Sequence, residues 1–141
     1  MIDIERWNVV YGSQVYTLEA PVFLPGTNII VSVPITNKST VSVRTKVKVY
    51  IYEGSLLPGH GTLLATKTSD EYTIPVNGNY TFSVTHTTVQ GTIDRRDIGV
   101  EVQYWDGSKW ATGKTAEFDD VYFVRPPNYQ FEIGQPTVRS A

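Results

Sequence analysis

The stretch Val41-Ser42-Val43-Arg44-Thr45-Lys46-Val47-Lys48-Val49-Tyr50-Ile51-Tyr52 decides the fold. Val43, Thr45, Val47, Val49 and Ile51 occupy alternate positions, with Arg44, Lys46, Lys48, Tyr50 and Tyr52 between them. Side chains in a strand alternate between two faces, so this is a strand with one apolar and one polar face. Such one-sided burial belongs to antiparallel sheets packed on one side only.

The alternation recurs on both sides of this stretch. Ile29 to Thr36 places Val31, Val33 and Ile35 on one face, and Pro34 marks an edge or a gap in the ladder. A short strand is predicted near Leu63 to Thr68. Another runs from Asn79 with Tyr80, Phe82 and Val84 inward, and Ile98 to Trp105 turns Ile98, Val100, Val102 and Tyr104 inward. Ile2-Asp3-Ile4-Glu5 and Val15 to Leu18 read as N-terminal strand pieces, and Val121 to Val124 as the last strand. Turn signals separate them: Leu24-Pro25-Gly26-Thr27, Asn37-Lys38-Ser39, the loop Glu53 to Gly61, the polar connection Gln90 to Asp97, and the hairpin Asp106-Gly107-Ser108-Lys109. About seven or eight antiparallel strands with such turns predict an all-β sandwich, with a jelly roll as the alternative topology. Arg125-Pro126-Pro127-Asn128 cannot continue a central strand. The chain therefore divides into a sandwich over 1–124 and an extended C-terminal arm over 125–141.

The residues Pro25-Gly26 ahead of a strand, then Val31-Ser32-Val33-Pro34-Ile35-Thr36-Asn37-Lys38-Ser39 and the long strand after it, carry a resemblance. From Pro25 to Val124 the pattern resembles Ig-like sandwiches of the CARDB-like and fibronectin type III sort. That resemblance implies a fold and a scaffold role, and no active site. Similar sandwiches occur as decoration and tail parts of bacteriophage particles. Met1-Ile2-Asp3-Ile4-Glu5-Arg6-Trp7 lacks the basic start and apolar run of a signal peptide. The expected location is thus a virion, made in a host cytoplasm, with an extracellular surface as the alternative.

Composition narrows the function classes. The 141 residues are enough for one domain with a real core, and 40% apolar content argues against disorder. A net charge of −2 with 18% charged residues gives no electrostatic footprint for nucleic acid. No run approaches the roughly 18 apolar residues of a membrane helix. The absence of cysteine excludes disulfides and thiolate metal sites.

No catalytic set is legible. The two histidines, His60 in a Gly/Pro loop and His86 at a strand end, show no nucleophile or orienting partner, so both read as structural or solvent-facing. Glu117, Asp119 and Asp120, with Asp94 and Asp97 around Arg95-Arg96, read as a solvated rim with local ion pairs. Asp119 and Asp120 point to opposite faces in a strand, so no metal site is expected to use both. Arg44, Lys46 and Lys48 read as an exposed sheet face with cross-strand partners such as Glu101. Trp105 and Trp110 flank the hairpin beside Tyr104; cross-strand packing is the first reading, and a sugar or partner contact the second. The sequons at Asn37 and Asn79 are too common by chance to count.

The arm carries the sharpest signal. Tyr129, Phe131 and Ile133 alternate with Gln130 and Glu132 beyond the break at Pro126 and Pro127. A strand pattern outside the domain either folds back on its own sandwich or adds to a neighbouring subunit's sheet edge. The expectation is a non-enzymatic assembly protein without cofactor: a virion decoration (cement) or tail component that forms homo-oligomers or binds a major structural protein. It is not expected to bind nucleic acid or membrane. The alternative is a carbohydrate-binding or adhesion module.

Overall fold

The structure, a computed structural model, describes residues 3–11, 14–55, 59–127 and 131–141, with side chains from residue 20 onward. Its strands are β1 (Asp3–Tyr11), β2 (Gln14–Phe23), β3 (Asn28–Thr36), β4 (Val43–Glu53), β5 (Leu63–Thr68), β6 (Tyr72–Ile74), β7 (Asn79–Thr87), β8 (Arg95–Trp105) and β9 (Trp110–Val124). There is no helix among the described residues. One sheet runs β1-β2-β9-β8-β4-β5, with β6 also on β4, and faces a two-stranded sheet, β3-β7. This is an Ig-like β-sandwich; the jelly-roll alternative, with its two comparable sheets, falls. All pairings are antiparallel except that of β2 with β9, where Val22 and Phe23 lie beside Phe123 and Val124.

The deciding stretch behaves as its alternation requires. Val47, Val49 and Ile51 are fully buried, while Lys46, Lys48, Tyr50 and Tyr52 lie on the other face. Across the sheet Val47 registers with Val102, Val49 with Val100 and Ile51 with Ile98. Phe82 and Val84 of β7, with Ile29 of β3, close the core from the opposite sheet, and Ile74 of β6 joins it beside β4. Each such side chain contributes about 1.5–3 kcal/mol through burial.

Two expected core residues are corrected. Tyr80 is 39% exposed and Tyr104 37%. Tyr80 stacks instead on Tyr72 at 3.9 Å, which also explains why β6 forms where no alternation announced it. The last strand is far longer than Val121 to Val124. Residues 112–119 of β9 are all exposed, so that half of the strand carries no burial pattern to read. The Asn37 turn is buried: Asn37 Nδ2 donates to Val41 O (2.9 Å), Ile74 O (2.9 Å) and Pro75 O (3.3 Å), and Oδ1 accepts from Ser39 N (2.8 Å). That amide is structural, and its sequon is closed to a glycan.

Tyr122 is 3% exposed and packs edge-on against Phe23, with ring centroids 5.9 Å apart. Its hydroxyl finds no hydrogen-bond partner among the described residues, and burial pushes its pKa up to about 12. A buried polar group without a partner costs about 1–3 kcal/mol. Tyr122→Phe is therefore expected to leave the melting temperature unchanged or raise it. Tyr122→Ala, which also opens a cavity, should cost about 3–5 kcal/mol in a urea titration.

Candidate functional site

Two regions concentrate unusual features: the outer face of β4-β8-β9, and the open side of the sandwich. On the outer face the cations are covered by aromatic rings. The Arg44 guanidinium lies 5.1 Å from the Trp105 ring centre and 5.5 Å from that of Trp110, and Lys46 Nζ lies 4.2 Å from Trp110. Lys48 pairs in register with Glu101, as expected, and Tyr50 donates to the same carboxylate at 3.1 Å. Trp105 and Trp110 meet edge-on at 67° across the hairpin and are both half-buried. They pack across strands, and no flat pair of rings is presented.

The row of contacts continues through Tyr52 to His60. The two rings stack with centroids 4.5 Å apart. His60 Nδ1 lies 2.9 Å from Asp97 Oδ2 and 4.0 Å from Asp119 Oδ1, and Nε2 bonds Glu117. Asp97 is buried; Glu117 and Asp119 are exposed. The expectation that His60 lacks neighbours is thus corrected: three carboxylates surround it. The hydrogen bond to Asp97 is the main reason that its pKa stands above the ordinary histidine value, against a smaller opposing effect of burial. His86 is the reverse: it is buried, and burial holds its pKa below the ordinary value.

A β-bulge assembles this cluster. The register of β8 on β9 jumps between Arg96–Tyr122 and Ile98–Phe118, so that residues 119–121 oppose Asp97 alone. Asp120 takes a positive φ of 53°, and its N–H donates to Asp97 Oδ1 at 2.8 Å. Bulges re-aim side chains in this way. Asp119 goes to His60, while Asp120 turns to Arg95 at 3.6 Å. The two aspartates do part company, as strand geometry predicted, and only one joins the cluster. Arg95 matches the rim reading, but Arg96 does not: it is 1% exposed.

Arg96 donates to Ile93 O, Arg95 O (2.9 Å) and Val89 O (3.0 Å). Beside it, buried Glu53 accepts from Thr92 N at 2.6 Å. The connection ahead of β8 is thus folded around two buried charged side chains, a role that the polar sequence Gln90 to Asp97 does not announce.

On the open side, β3 pairs only with β7 among the described residues, and its other edge is free. Between that edge and β9 lies an apolar groove of about 580 Å³, walled by Val31, Val33, Val100, Phe118 and Val121 among others. Phe118 is 53% exposed. The groove stays open although the arm belongs to the same chain. Phe131, Ile133 and Val138 are 88%, 91% and 96% exposed, and Pro126 and Pro127 are exposed as well. Tyr129 lies outside the described residues.

No known protein family matches this sequence. No curated protein matches either. Among solved structures, the chain is similar to the CARDB domain of a Pyrococcus furiosus protein, solved in complex with di-metal ions. The identity is 16%, the TM-score 0.44, and the likeness covers 89% of this chain and 88% of that one. It is also similar to a Pseudomonas fluorescens alkylpurine DNA glycosylase bound to DNA containing an abasic-site analogue, at 15% identity and TM-score 0.44. That match covers 74% of this chain and 27% of the glycosylase. Neither likeness bears on function.

Arg96 fixes the segment from which Asp97 projects, so it supports the cluster from beneath. Arg96→Met keeps the bulk but leaves several enclosed carbonyls unpaired. A loss of about 3 kcal/mol or more is expected in denaturant unfolding.

Proposed function

We propose that this sandwich is a non-enzymatic assembly module in which the C-terminal arm of one copy docks on the open side of the next. The observation that carries this reading is the coexistence, on one chain, of an uncovered apolar groove beside a free strand edge and an exposed arm with strand alternation. Phe131 and Ile133 sit two residues apart, the spacing at which an added strand turns side chains to one face. Pairing to the free edge of β3 supplies backbone hydrogen bonds, and the groove supplies the apolar contact. An unpaired edge is an aggregation hazard that a docked arm removes.

A second copy is the occupant we favour over the arm's own domain. Arg125 N is tied to Phe23 O at 3.0 Å, the two prolines follow, and residues 131–141 then run exposed. Arm-to-groove contact between copies is head-to-tail, so it closes a ring or propagates. A virion decoration or tail subunit is the setting this proposal carries forward from the sequence. A cysteine-free sandwich with small net charge and an exchangeable arm suits a shell of many copies. The absence of catalysis is part of the same proposal: both ring nitrogens of His60 face carboxylates, so neither is directed at a hydroxyl nucleophile.

Deleting residues 129–141 tests it, with mass measured by light scattering and stability by thermal melting. The full chain should form concentration-dependent oligomers, and the truncated chain a monomer with an unchanged melting temperature. Val33→Asp, in the groove, should also abolish association while its arm remains. A full chain that stays monomeric at high concentration, or a truncated monomer that unfolds, would overturn the proposal.

A further inference from the structure

We propose that His60, Asp97 and Asp119 form a binding site for a divalent first-row cation, zinc foremost, with Glu117 orienting the histidine. The donor set is mixed, and it converges from three separate places: the loop after β4, the start of β8 and the bulge of β9. One ligand atom from each of the three residues lies within 4.8 Å of the others.

The surroundings of His60 point to a cation. A neutral imidazole carries one N–H. Here both ring nitrogens face carboxylate oxygens, Nδ1 toward Asp97 and Nε2 toward Glu117. If Nε2 donates to Glu117, the lone pair of Nδ1 is left against Asp97 Oδ2 at 2.9 Å. That contact is repulsive unless a proton or a metal ion sits there. Arg44, Arg95 and Arg125 pair with Glu71, Asp120 and Asp94, so among the described residues no arginine or lysine side chain pairs with Asp97, Glu117 or Asp119. Three carboxylates share one imidazole.

The second nitrogen supplies an independent argument. Metal-bound histidines commonly donate their other N–H to a carboxylate, which fixes the tautomer and strengthens the ligating nitrogen. Glu117 stands in that place on Nε2, and Tyr52 stacked on the ring holds its plane. Asp97 is held as well, since its Oδ1 accepts from Asp120 N, leaving Oδ2 toward His60.

The spacings suit a small ion. Metal–ligand distances of about 2.0–2.2 Å put tetrahedral donors about 3.3–3.6 Å apart. The separations from Nδ1, 2.9 Å to Asp97 and 4.0 Å to Asp119, bracket that value, and Asp119 is exposed and able to adjust. Calcium prefers six to eight oxygen ligands, so an imidazole nitrogen disfavours it. Nitrogen with carboxylate oxygen suits zinc and its first-row neighbours.

The experiment uses the full chain, stripped with a chelator, titrated calorimetrically with zinc chloride and followed in parallel by cobalt(II) absorption. One zinc ion per chain is expected, with a tetrahedral cobalt spectrum and a zinc-induced shift of the His60 Nδ1 resonance. Asp119→Asn, at an exposed position that the fold does not need, should weaken zinc binding at least tenfold. His60→Gln should do the same, and Glu117→Gln should weaken it about 10–100-fold through the histidine. Absence of zinc binding to the full chain would show that only a proton occupies the cluster and would overturn the proposal. Zinc binding unchanged in both His60→Gln and Asp119→Asn, or calcium binding in preference to zinc, would overturn it too.

Discussion

The seal of Val47, Val49 and Ile51 against Phe82 and Val84 is the interaction on which the rest of the structure depends. It fixes β4 in the large sheet, between β8 and the edge strands β5 and β6, and β7 as its cover. Because the cover has only two strands, it cannot reach across the whole opposing sheet. The inner face of β9 is left over, and with it the groove beside β3. The open side is therefore a geometric consequence of how the core is closed. The domain carries its liability and its opportunity in the same place, since a free edge beside an apolar trough invites pairing by an extended chain.

The outer face follows from the same strand. Once the valines of β4 point inward, Tyr50 and Tyr52 must point outward. Gly99, opposite Tyr50 on β8, has no side chain to lift the tyrosine rings, and an added Cβ would rest on Tyr52 and Tyr50 at 3.5–3.6 Å. Tyr52 becomes the platform for His60, and the bulge at 119–121 delivers the carboxylates around it. The bulge has a second effect. By giving Asp97 an N–H to accept, it satisfies one oxygen of a buried carboxylate and leaves the other for the imidazole. The groove and the His60 cluster lie on opposite faces of the same sheet.

Much of the fold was legible, and its failures have physical causes. The alternating burial from Thr45 to Ile51 and the Asp106-Gly107 hairpin follow from period 2 and turn chemistry, both local properties. Tyr80 and Tyr104 were misjudged because alternation gives the side of a residue, not how far the opposing layer extends to cover it. The outer half of β9 was missed because no layer covers it, and burial is what imprints a pattern. Arg96 was read as surface because a charged residue between polar neighbours looks solvated. Its burial depends on carbonyls of the preceding connection that only the folded chain brings within reach.

The candidate site divides in the same way. The strand alternation of the arm and its separation by Pro126-Pro127 are written in the sequence, as is the absence of thiol chemistry. The cluster is not. His60, Asp97 and the pair Glu117 and Asp119 are far apart along the chain, in a loop, at a strand start and at a bulge. A bulge adds residues to a strand without leaving any mark in composition, yet it changes which side chains face which neighbours. By itself the sequence determined an all-β, one-sided sandwich and a strand-patterned segment beyond a proline break, because alternation and proline act through the local backbone. Only the tertiary structure decided that a histidine sits among carboxylates and that one side of the sandwich stays open, because both depend on register and on the unequal size of the two sheets.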